Sequence, residues 1–477
     1  MSSLTRPLGR LPYLLYGVVL AALKIALDHL VAGAHGRPYS VLFYVSPIDA
    51  PLFHPSEDVR YWQTLAVVAV PFIAAGVMLT GRRLRDAGLS PWMVLLFFVP
   101  FANLLFFLVC VCAPTRAART FKLPAQPPYR AAAEELVVPA PERSARASMW
   151  IAATFGAVLG LGAMGVSVGV LREYGAALML GAPAITGFAT GAFYGRLRPR
   201  SRFRDAAAAT ALSSVLMLAF TMVFALEGAA CLVMMLPLLM VPSFFCAYLG
   251  YVAATLNVPA RTASGMIGGA VLLFPLLLVT ERVFPMPALL PPAVETAIDI
   301  DAPPERVWAE VIEVAEMEPP DELLFRVGIA YPLHATLDAG RVGAVRRCEF
   351  TTGTALETVE AWDPPNELTF HIDSQPDPMR EATLWSGPRQ PHLDGYVRNQ
   401  RGQFTLERLP GARTRLTGRS WYTVRITPES YWRVWSDAAI HAIHRRVLRH
   451  VKVRAEALAA APIALHPSPP CAPAEPP

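Results

Sequence analysis

Three ionisable side chains lie on what should be the apolar face of a long C-terminal helix. Asp437 and His441 are four residues apart and His441 and His444 are three apart, so helical geometry brings them together. A carboxylate beside an imidazole orients the ring and tunes its proton affinity. The pattern indicates a polar cluster that hydrogen-bonds a ligand or a sheet, an acid–base catalyst, or a metal site for which no further protein ligand can be assigned.

The helix that positions these residues is predicted from its capping pattern. Thr427 suits the N-cap, Pro428 suits the first helical position, and the helical pattern continues to about residue 457. At about 100° per residue, one side of this helix is apolar. That apolar arc consists of Ile440, Ile443, Val447, Leu448 and Val451.

Alternating apolar and polar residues precede the helix and predict an antiparallel sheet. Residues 294–300 alternate with period two, and Pro304 then opens a short helix that carries Val307 and Trp308. Further strand-like runs lie between turn residues, near 343–351, 355–362, 367–373, 401–409 and 413–425. The predicted order is strand, helix, antiparallel strands and long helix.

This order and several sequence stretches resemble the helix-grip superfamily. The stretches are Ile-Asp-Ala-Pro-Pro-Glu-Arg-Val-Trp at 300–308, residues 357–364 and residues 414–418. The superfamily, also called SRPBCC, includes START lipid-transfer domains, plant pollen allergens and polyketide cyclases or dehydratases. The resemblance covers about residues 293–457. It implies an α+β domain whose antiparallel sheet wraps around the C-terminal helix and leaves an apolar cavity between them.

Other side chains are candidates to contact a ligand in that cavity. Arg347 and Glu349 share one strand face, as do Glu357 and Val359, which predicts either that one of these charges enters the cavity or that they form solvated cross-strand pairs. Trp421 and Tyr422 point to opposite faces, so one of them should line the core. The candidate ligand-binding residues are Arg347, Glu349, Trp421, Tyr422, Ile440 and Leu448.

The chain has the composition of a membrane protein, and its membrane-length apolar stretches lie in the first 290 residues. The 477-residue chain is 54% hydrophobic and only 17% charged, against roughly a quarter in soluble domains. Its net charge of +5 is small, and its arginines cluster in short loops rather than on one face, so no nucleic-acid partner is expected. Eight stretches approach membrane length, near 12–32, 61–80, 91–113, 149–171, 174–195, 206–226, 229–255 and 264–284.

A motif between the second and third stretches resembles a known bacterial family. Residues 81–92, Gly-Arg-Arg-Leu-Arg-Asp-Ala-Gly-Leu-Ser-Pro-Trp, precede an apolar run with Pro100. This combination is similar to the inner-membrane proteins grouped as domain of unknown function 805, over about the first 115 residues. The resemblance implies a location in the inner membrane. It does not indicate an activity.

Polar residues in the membrane half leave alternatives open. Lys24 and Asp28 are spaced to meet on one helical face, as part of an ion path or as a paired couple near the helix end. Glu227, between two stretches, is either a functional acid or an ordinary acid in an outer loop.

Arginine-rich loops predict the orientation in the membrane. Residues 81–90, the linker 116–147 and residues 196–204 should all be cytoplasmic. The stretch 91–113 would then be a re-entrant hairpin rather than a simple crossing. Five crossings after the linker place the C-terminal domain outside the cytoplasm.

These inferences define an expected organisation and function. We expect a multi-pass membrane protein carrying a START-like domain that binds a hydrophobic or amphipathic small molecule. One alternative is a cyclase- or dehydratase-like enzyme that uses Asp437, His441 and His444, and another is a structural or regulatory membrane protein with a protein partner. No cofactor or metal is expected, and membrane lipids are expected partners. The predicted domains are 1–115, the linker 116–147, 148–290, 293–458 and a Pro-rich tail at 459–477.

Overall fold

The computed structural model describes most of the chain outside the linker and the two termini. The linker segment 116–143, the tail from residue 461 and Pro100 lie outside the described residues. Those residues are 7–37, 39, 41–44, 59–98, 102–115, 144–224, 226–256, 260–283, 293–320, 322–383, 390–393 and 395–460.

Contacts between Cα atoms divide the chain into two compact units. Unit 1 consists of Met1–Leu289 together with two short later segments, Glu381–Asp394 and Arg425–Arg433. Unit 2 consists of Leu290–Arg380, Gly395–Val424 and Val434–Pro477. The C-terminal half therefore contributes residues to both units.

Among the described residues, unit 1 has seven helices that are long and apolar enough to cross a membrane. The protein is thus a multi-pass membrane protein whose helices contact lipid. A π-helical turn, Gly165–Val170, follows the third of these helices, and another, Ala177–Gly181, precedes the fourth. The seven helices are α1 (Arg10–Ala34), α2 (Val59–Ala87), α4 (Ala145–Met164), α5 (Ala182–Leu197), α6 (Phe203–Val223), α7 (Ala229–Thr255) and α8 (Ala260–Val283).

The predicted stretch 91–113 is not a continuous helix. A 3-10 helix covers Pro91–Phe98, and the α-helix α3 covers only Ala102–Cys112. The 11 residues of α3 rise about 16 Å, roughly half the thickness of the hydrocarbon core. The expected count of eight membrane-length stretches is therefore reduced to seven among the described residues.

Arg83, from the arginine-rich motif, is buried rather than in a solvated loop. Its Nε donates to the carbonyl of Cys110 at 2.7 Å, and an Nη donates to the carbonyl of Ala113. Asp86, one turn later on α2, forms an ion pair with the same guanidinium. Because the last carbonyls of a helix lack intrahelical partners, Arg83 satisfies the C-terminal end of α3 and joins it to α2.

Lys24 and Asp28 form an ion pair within α1. The hydroxyl of Tyr44 also donates to the Asp28 carboxylate. These contacts match the paired couple among the two alternatives that the sequence left open.

Helices α5 and α7 approach closely because glycine stands at their contact. A Cβ added at Gly187 would lie 2.1 Å from the carbonyl oxygen of Ser243. A Cβ added at Gly250 would lie 2.0 Å from the carbonyl oxygen of Phe188. Small residues at such contacts let two backbones pack in a membrane, where no hydrophobic effect drives helices together.

Unit 2 contains a curved antiparallel sheet of seven strands with a long helix, α11 (Glu429–Ala460), which contributes residues to unit 2 from Val434 onward. The strand order is β1-β7-β6-β5-β4-β3-β2. Two short helices, α9 (Pro304–Ile312) and α10 (Leu323–Arg326), separate β1 from β2. The strands are β1 (Val294–Ile300), β2 (Pro332–Leu337), β3 (Val345–Phe350), β4 (Gly353–Asp363), β5 (Glu367–Ser374), β6 (Val397–Leu409) and β7 (Arg413–Val424).

The core of unit 2 lies between the sheet and the helices. Leu448 and Val451 of α11 are buried with Leu368 and Leu416 of the sheet and with Trp308 of α9. The helix-grip architecture is therefore confirmed by the strands and helix themselves. Strand β2 was missed in the sequence because it begins with Pro332, which is tolerated here since β2 is an edge strand.

Candidate functional site

A cavity of about 140 Å³ lies between α11 and the sheet within unit 2. Its wall is largely apolar, with a few polar side chains, an arrangement typical of small-molecule sites. Apolar lining residues include Phe350, Phe370, Phe404, Ile440, Ile443 and Val447. The polar lining residues include Arg346, Glu357, Ser420 and His444.

His444 is the member of the predicted Asp–His–His cluster that lines this cavity. Its Nε2 is 2.9 Å from the Ser420 hydroxyl, and its Nδ1 is 3.1 Å from the Thr296 hydroxyl. Burial, and to a smaller degree the neighbouring His441, lowers the pKa of His444 to about 4. The ring is therefore neutral near pH 7, and both of its nitrogens already have hydroxyl partners.

His441 and Asp437 lie one and two turns before His444 on α11. The Nδ1 of His441 is 2.8 Å from the Thr296 hydroxyl, which thus lies between the two imidazoles. Asp437 accepts a hydrogen bond from the hydroxyl of Tyr422. The structure brings the three predicted residues onto one side of α11, where strands β1 and β7 supply their partners.

A buried ion pair between β3 and β4 was not predicted. Arg346 and Glu357 face each other directly in the strand register, and 4% and 6% of their side chains are exposed. Burial raises the pKa of Glu357, while the adjacent Arg346 guanidinium opposes that rise. The guanidinium carbon of Arg346 also lies 5.0 Å from the centre of the Phe370 ring, close enough for a cation–π contact.

The predicted charges Arg347 and Glu349 lie on the other face of β3. Strand side chains alternate, so Arg346, Cys348 and Phe350 line the cavity, while Arg347 is exposed. Glu349 accepts a hydrogen bond from the exposed hydroxyl of Thr354. The outer position of both charges matches the solvated alternative, whereas their assignment as ligand-binding residues had the wrong phase of the alternation. The apolar character of Cys348 and Phe350 on the opposite face was the signal that could have corrected it.

The other four candidate residues occupy different positions. Ile440 lines the cavity, whereas Leu448 is 1% exposed within the core of unit 2. Tyr422 is fully buried and donates to Asp437. Trp421 is half-buried, and its ring lies 5.7 Å from the guanidinium carbon of Arg401.

Cys348, although it lines the cavity, does not have the properties of a nucleophile. Burial raises the pKa of its thiol to about 12. Since the thiolate is the reactive form, this cysteine is unreactive near pH 7. The cavity therefore offers hydrogen bonding and apolar contact rather than covalent catalysis through cysteine.

Comparisons with known proteins concern two separate parts of the chain. Residues 4–121 match the family described as a protein of unknown function, DUF805. A search of curated proteins returns no match.

Solved structures are similar to the C-terminal part of this chain. A protein from Nitrosospira multiformis is 19% identical, with coverage of 34% of this chain and 94% of that chain and a TM-score of 0.23. A Zhui aromatase/cyclase from a Streptomyces species is 18% identical, with coverage of 36% and 96% and a TM-score of 0.25. A Thermus thermophilus protein is 17% identical, with coverage of 35% and 100% and a TM-score of 0.24. The assignment of architecture rests on the strand order and on the packing of α11.

Proposed function

We propose that the C-terminal domain binds a small hydrophobic or amphipathic molecule in the cavity under α11, and that the membrane helices hold this domain at a bilayer. The observation that carries the proposal is a largely apolar cavity with a few buried polar groups at its wall. Such a cavity suits a ligand with an apolar body and a small polar group.

The cavity volume limits the size of the ligand. Its 140 Å³ is close to that of an apolar cavity of about 150 Å³ that binds benzene, and is below the range of about 300–1,000 Å³ for drug-sized ligands. An aromatic ring or a short acyl segment fits this space, whereas a complete phospholipid does not. The proposed ligand is therefore a compact amphipathic molecule.

The hydrogen bonds of His444 favour binding over acid–base catalysis. A general base near pH 7 needs a matching pKa and a nitrogen directed at the substrate. His444 has a pKa of about 4, and its two nitrogens lie 2.9 and 3.1 Å from the Ser420 and Thr296 hydroxyls. We therefore place the cyclase- or dehydratase-like activity second.

The proposed location is the bacterial inner membrane, with the C-terminal domain outside the cytoplasm. Five membrane-length helices, α4 to α8, lie between the linker and residue 293. Arginine residues 196, 198, 200, 202 and 204 surround the connection between α5 and α6, which favours the cytoplasm for that connection. A cysteine-accessibility reporter at the C-terminus would test this orientation.

The binding proposal is testable with the full-length protein in lipid nanodiscs. The whole chain is needed because two segments of the C-terminal half belong to unit 1. Octanoic acid and phenylacetic acid serve as test ligands in native mass spectrometry and calorimetry. Ile443→Trp fills the cavity, and Val453→Trp adds the same ring to an exposed position of α11.

We expect the wild type and Val453→Trp to bind a test ligand or retain a co-purified small molecule, and Ile443→Trp to lose it. If Ile443→Trp and Val453→Trp bound the ligand equally well, the ligand would not lie in the cavity under α11. An empty wild-type protein that binds neither acid would contradict the proposal and favour the structural or regulatory alternative.

A further inference from the structure

Unit 1 contains a buried cluster of side chains that can ligate a metal, which we call the Glu–Cys–His cluster: Glu227, Cys231 and His392. Glu227 lies in the turn before α7, and Cys231 lies in the first turn of α7. His392 comes from the segment Glu381–Asp394, which is part of unit 1. One ligand atom from each residue lies within 4.8 Å of the other two.

The ligand atoms of the cluster meet in ion-pair contacts rather than in well-aligned hydrogen bonds. Glu227 Oε2 is 2.7 Å from His392 Nδ1, and 0% and 8% of the two side chains are exposed. Neither atom has a hydrogen-bond partner with suitable geometry among the described residues. A metal ion that binds both residues would need the lone pairs of Glu227 Oε2 and His392 Nδ1 to point at one place, without a proton aligned between them.

Glu381 provides an independent observation at the same place. Its side chain is 0% exposed, and its Oε1 lies 3.3 Å from His392 Nε2, on the other side of the ring from Glu227. Both Glu381 oxygens also lack a hydrogen bond among the described residues. A carboxylate at the second nitrogen is the usual partner of a metal-ligating histidine.

Two further contacts hold the carboxylates in position. The Tyr174 hydroxyl donates to Glu227 Oε1 at 2.8 Å, which leaves Oε2 directed at His392. Gly228 lets Glu381 approach, because a Cβ at this position would lie 2.1 Å from Glu381 Oε2. The ligand atoms are therefore oriented by an outer layer of contacts, as in established metal sites.

We propose that Glu227, Cys231 and His392 bind a zinc ion, with Tyr174 and Glu381 as the outer partners. Thiolate and imidazole ligands select zinc over calcium or magnesium, which prefer oxygen ligands. Three protein ligands leave a fourth tetrahedral position.

Without a metal, Glu227, His392 and Glu381 would form an ion triad, in which a protonated His392 lies between the two carboxylates. The two arrangements differ in their need for Cys231. A zinc site requires the thiolate as a ligand, whereas the triad is held by the charges of Glu227, His392 and Glu381 and needs no sulfur ligand. Cys231→Ser therefore separates the two explanations with a change of one atom.

The test uses the full-length protein in detergent, stripped with a chelator, incubated with zinc and desalted. Inductively coupled plasma mass spectrometry should find about one zinc per chain in the wild type. Cys231→Ser and Glu227→Gln should retain at least about tenfold less zinc. The control Cys246→Ser alters a buried cysteine on the same helix outside the cluster and should retain wild-type zinc.

Cobalt gives a second readout that depends on the sulfur ligand. Wild-type protein loaded with Co²⁺ should show a thiolate-to-cobalt charge-transfer band that Cys231→Ser lacks. Gel filtration and circular dichroism on the same samples verify that each variant is folded. Zinc retention by folded Cys231→Ser at the wild-type level, or no zinc on the wild type, would overturn the site.

Discussion

Arg346 and Glu357 face each other across β3 and β4 as a buried ion pair at the wall of the unit 2 cavity. A buried charge that loses its partner is costly, whereas replacement of both partners by apolar residues is much less so. This asymmetry makes the pair a sensitive test of how the cavity wall is held together.

Arg346→Leu should lower the free energy of unfolding by about 3–5 kcal/mol because it leaves Glu357 buried without a cation. The double variant Arg346→Leu/Glu357→Leu should recover much of that loss. Chemical unfolding of the full-length protein, followed by tryptophan fluorescence, measures both. Arg408→Leu is the control, since it breaks an exposed pair with Glu305 and should change little. Similar losses in the single and double variants would contradict a buried pair.

His444 should make the stability of unit 2 depend on pH. Its pKa of about 4 in the folded protein lies below the ordinary value of 6.5, so the unfolded chain binds the proton more readily between these values. The stabilisation is fully present above about pH 6.5 and is lost as the pH falls toward about 4, with a limit of about 3 kcal/mol. Among the described residues, the ionisable groups around it include His441 on α11. Those that line the cavity with it are His334, Arg346, Cys348, Glu357 and Arg419.

Unfolding curves recorded at steps of about half a pH unit between pH 7.5 and 4 give the free energy of unfolding at each pH and check this dependence. His444→Gln should flatten the curve, while His371→Gln, at an exposed position of β5, should leave it unchanged. A wild-type curve with the same slope as that of His444→Gln would show that this ring does not titrate as described.

Arg83 should be the arginine of the motif that stabilises unit 1. Arg83→Ala removes the donors to the Cys110 and Ala113 carbonyls and leaves Asp86 without the guanidinium, so a loss of about 3–5 kcal/mol is expected. Arg85→Ala is the matched control, because the exposed Arg85 side chain donates to Gly81 of its own helix. Thermal unfolding midpoints in detergent compare the two, and equal midpoints would refute the role of Arg83.

Much of the fold was predictable because it depends on local patterns. Period-two alternation located β1 and β3 to β7, and capping residues with an apolar arc located α11. Strand β2 escaped because Pro332 argues against a strand unless the strand is known to lie at an edge. The interruption within 91–113 was predicted as a re-entrant hairpin, but the 3-10 geometry of its first part was not, because hydropathy alone does not register a change of helical geometry.

The side chains that meet in three dimensions were harder to predict. Whether Arg346 or Arg347 faces the cavity depends on which residues of β3 point to that side of the sheet. A shift of one residue moves every side chain to the other face. Glu227 and His392 are 165 positions apart in the sequence, so no motif spacing joins them. In the sequence Glu227 is an acid between two apolar stretches, and its partner His392 comes from the distant segment Glu381–Asp394.

Two glycine substitutions in unit 1 should have opposite effects, because Gly187 lies at the close contact of α5 and α7 and Gly162 lies in α4 away from it. Gly187→Ala places a Cβ 2.1 Å from a backbone carbonyl oxygen, so the helices must separate, at a cost of about 1–3 kcal/mol. Gly162→Ala meets no atom within 4 Å and should be neutral or stabilising by up to about 1 kcal/mol, because alanine loses less backbone entropy in a helix. Thermal unfolding in nanodiscs measures both, and a Gly187→Ala midpoint at or above that of Gly162→Ala would exclude the tight contact.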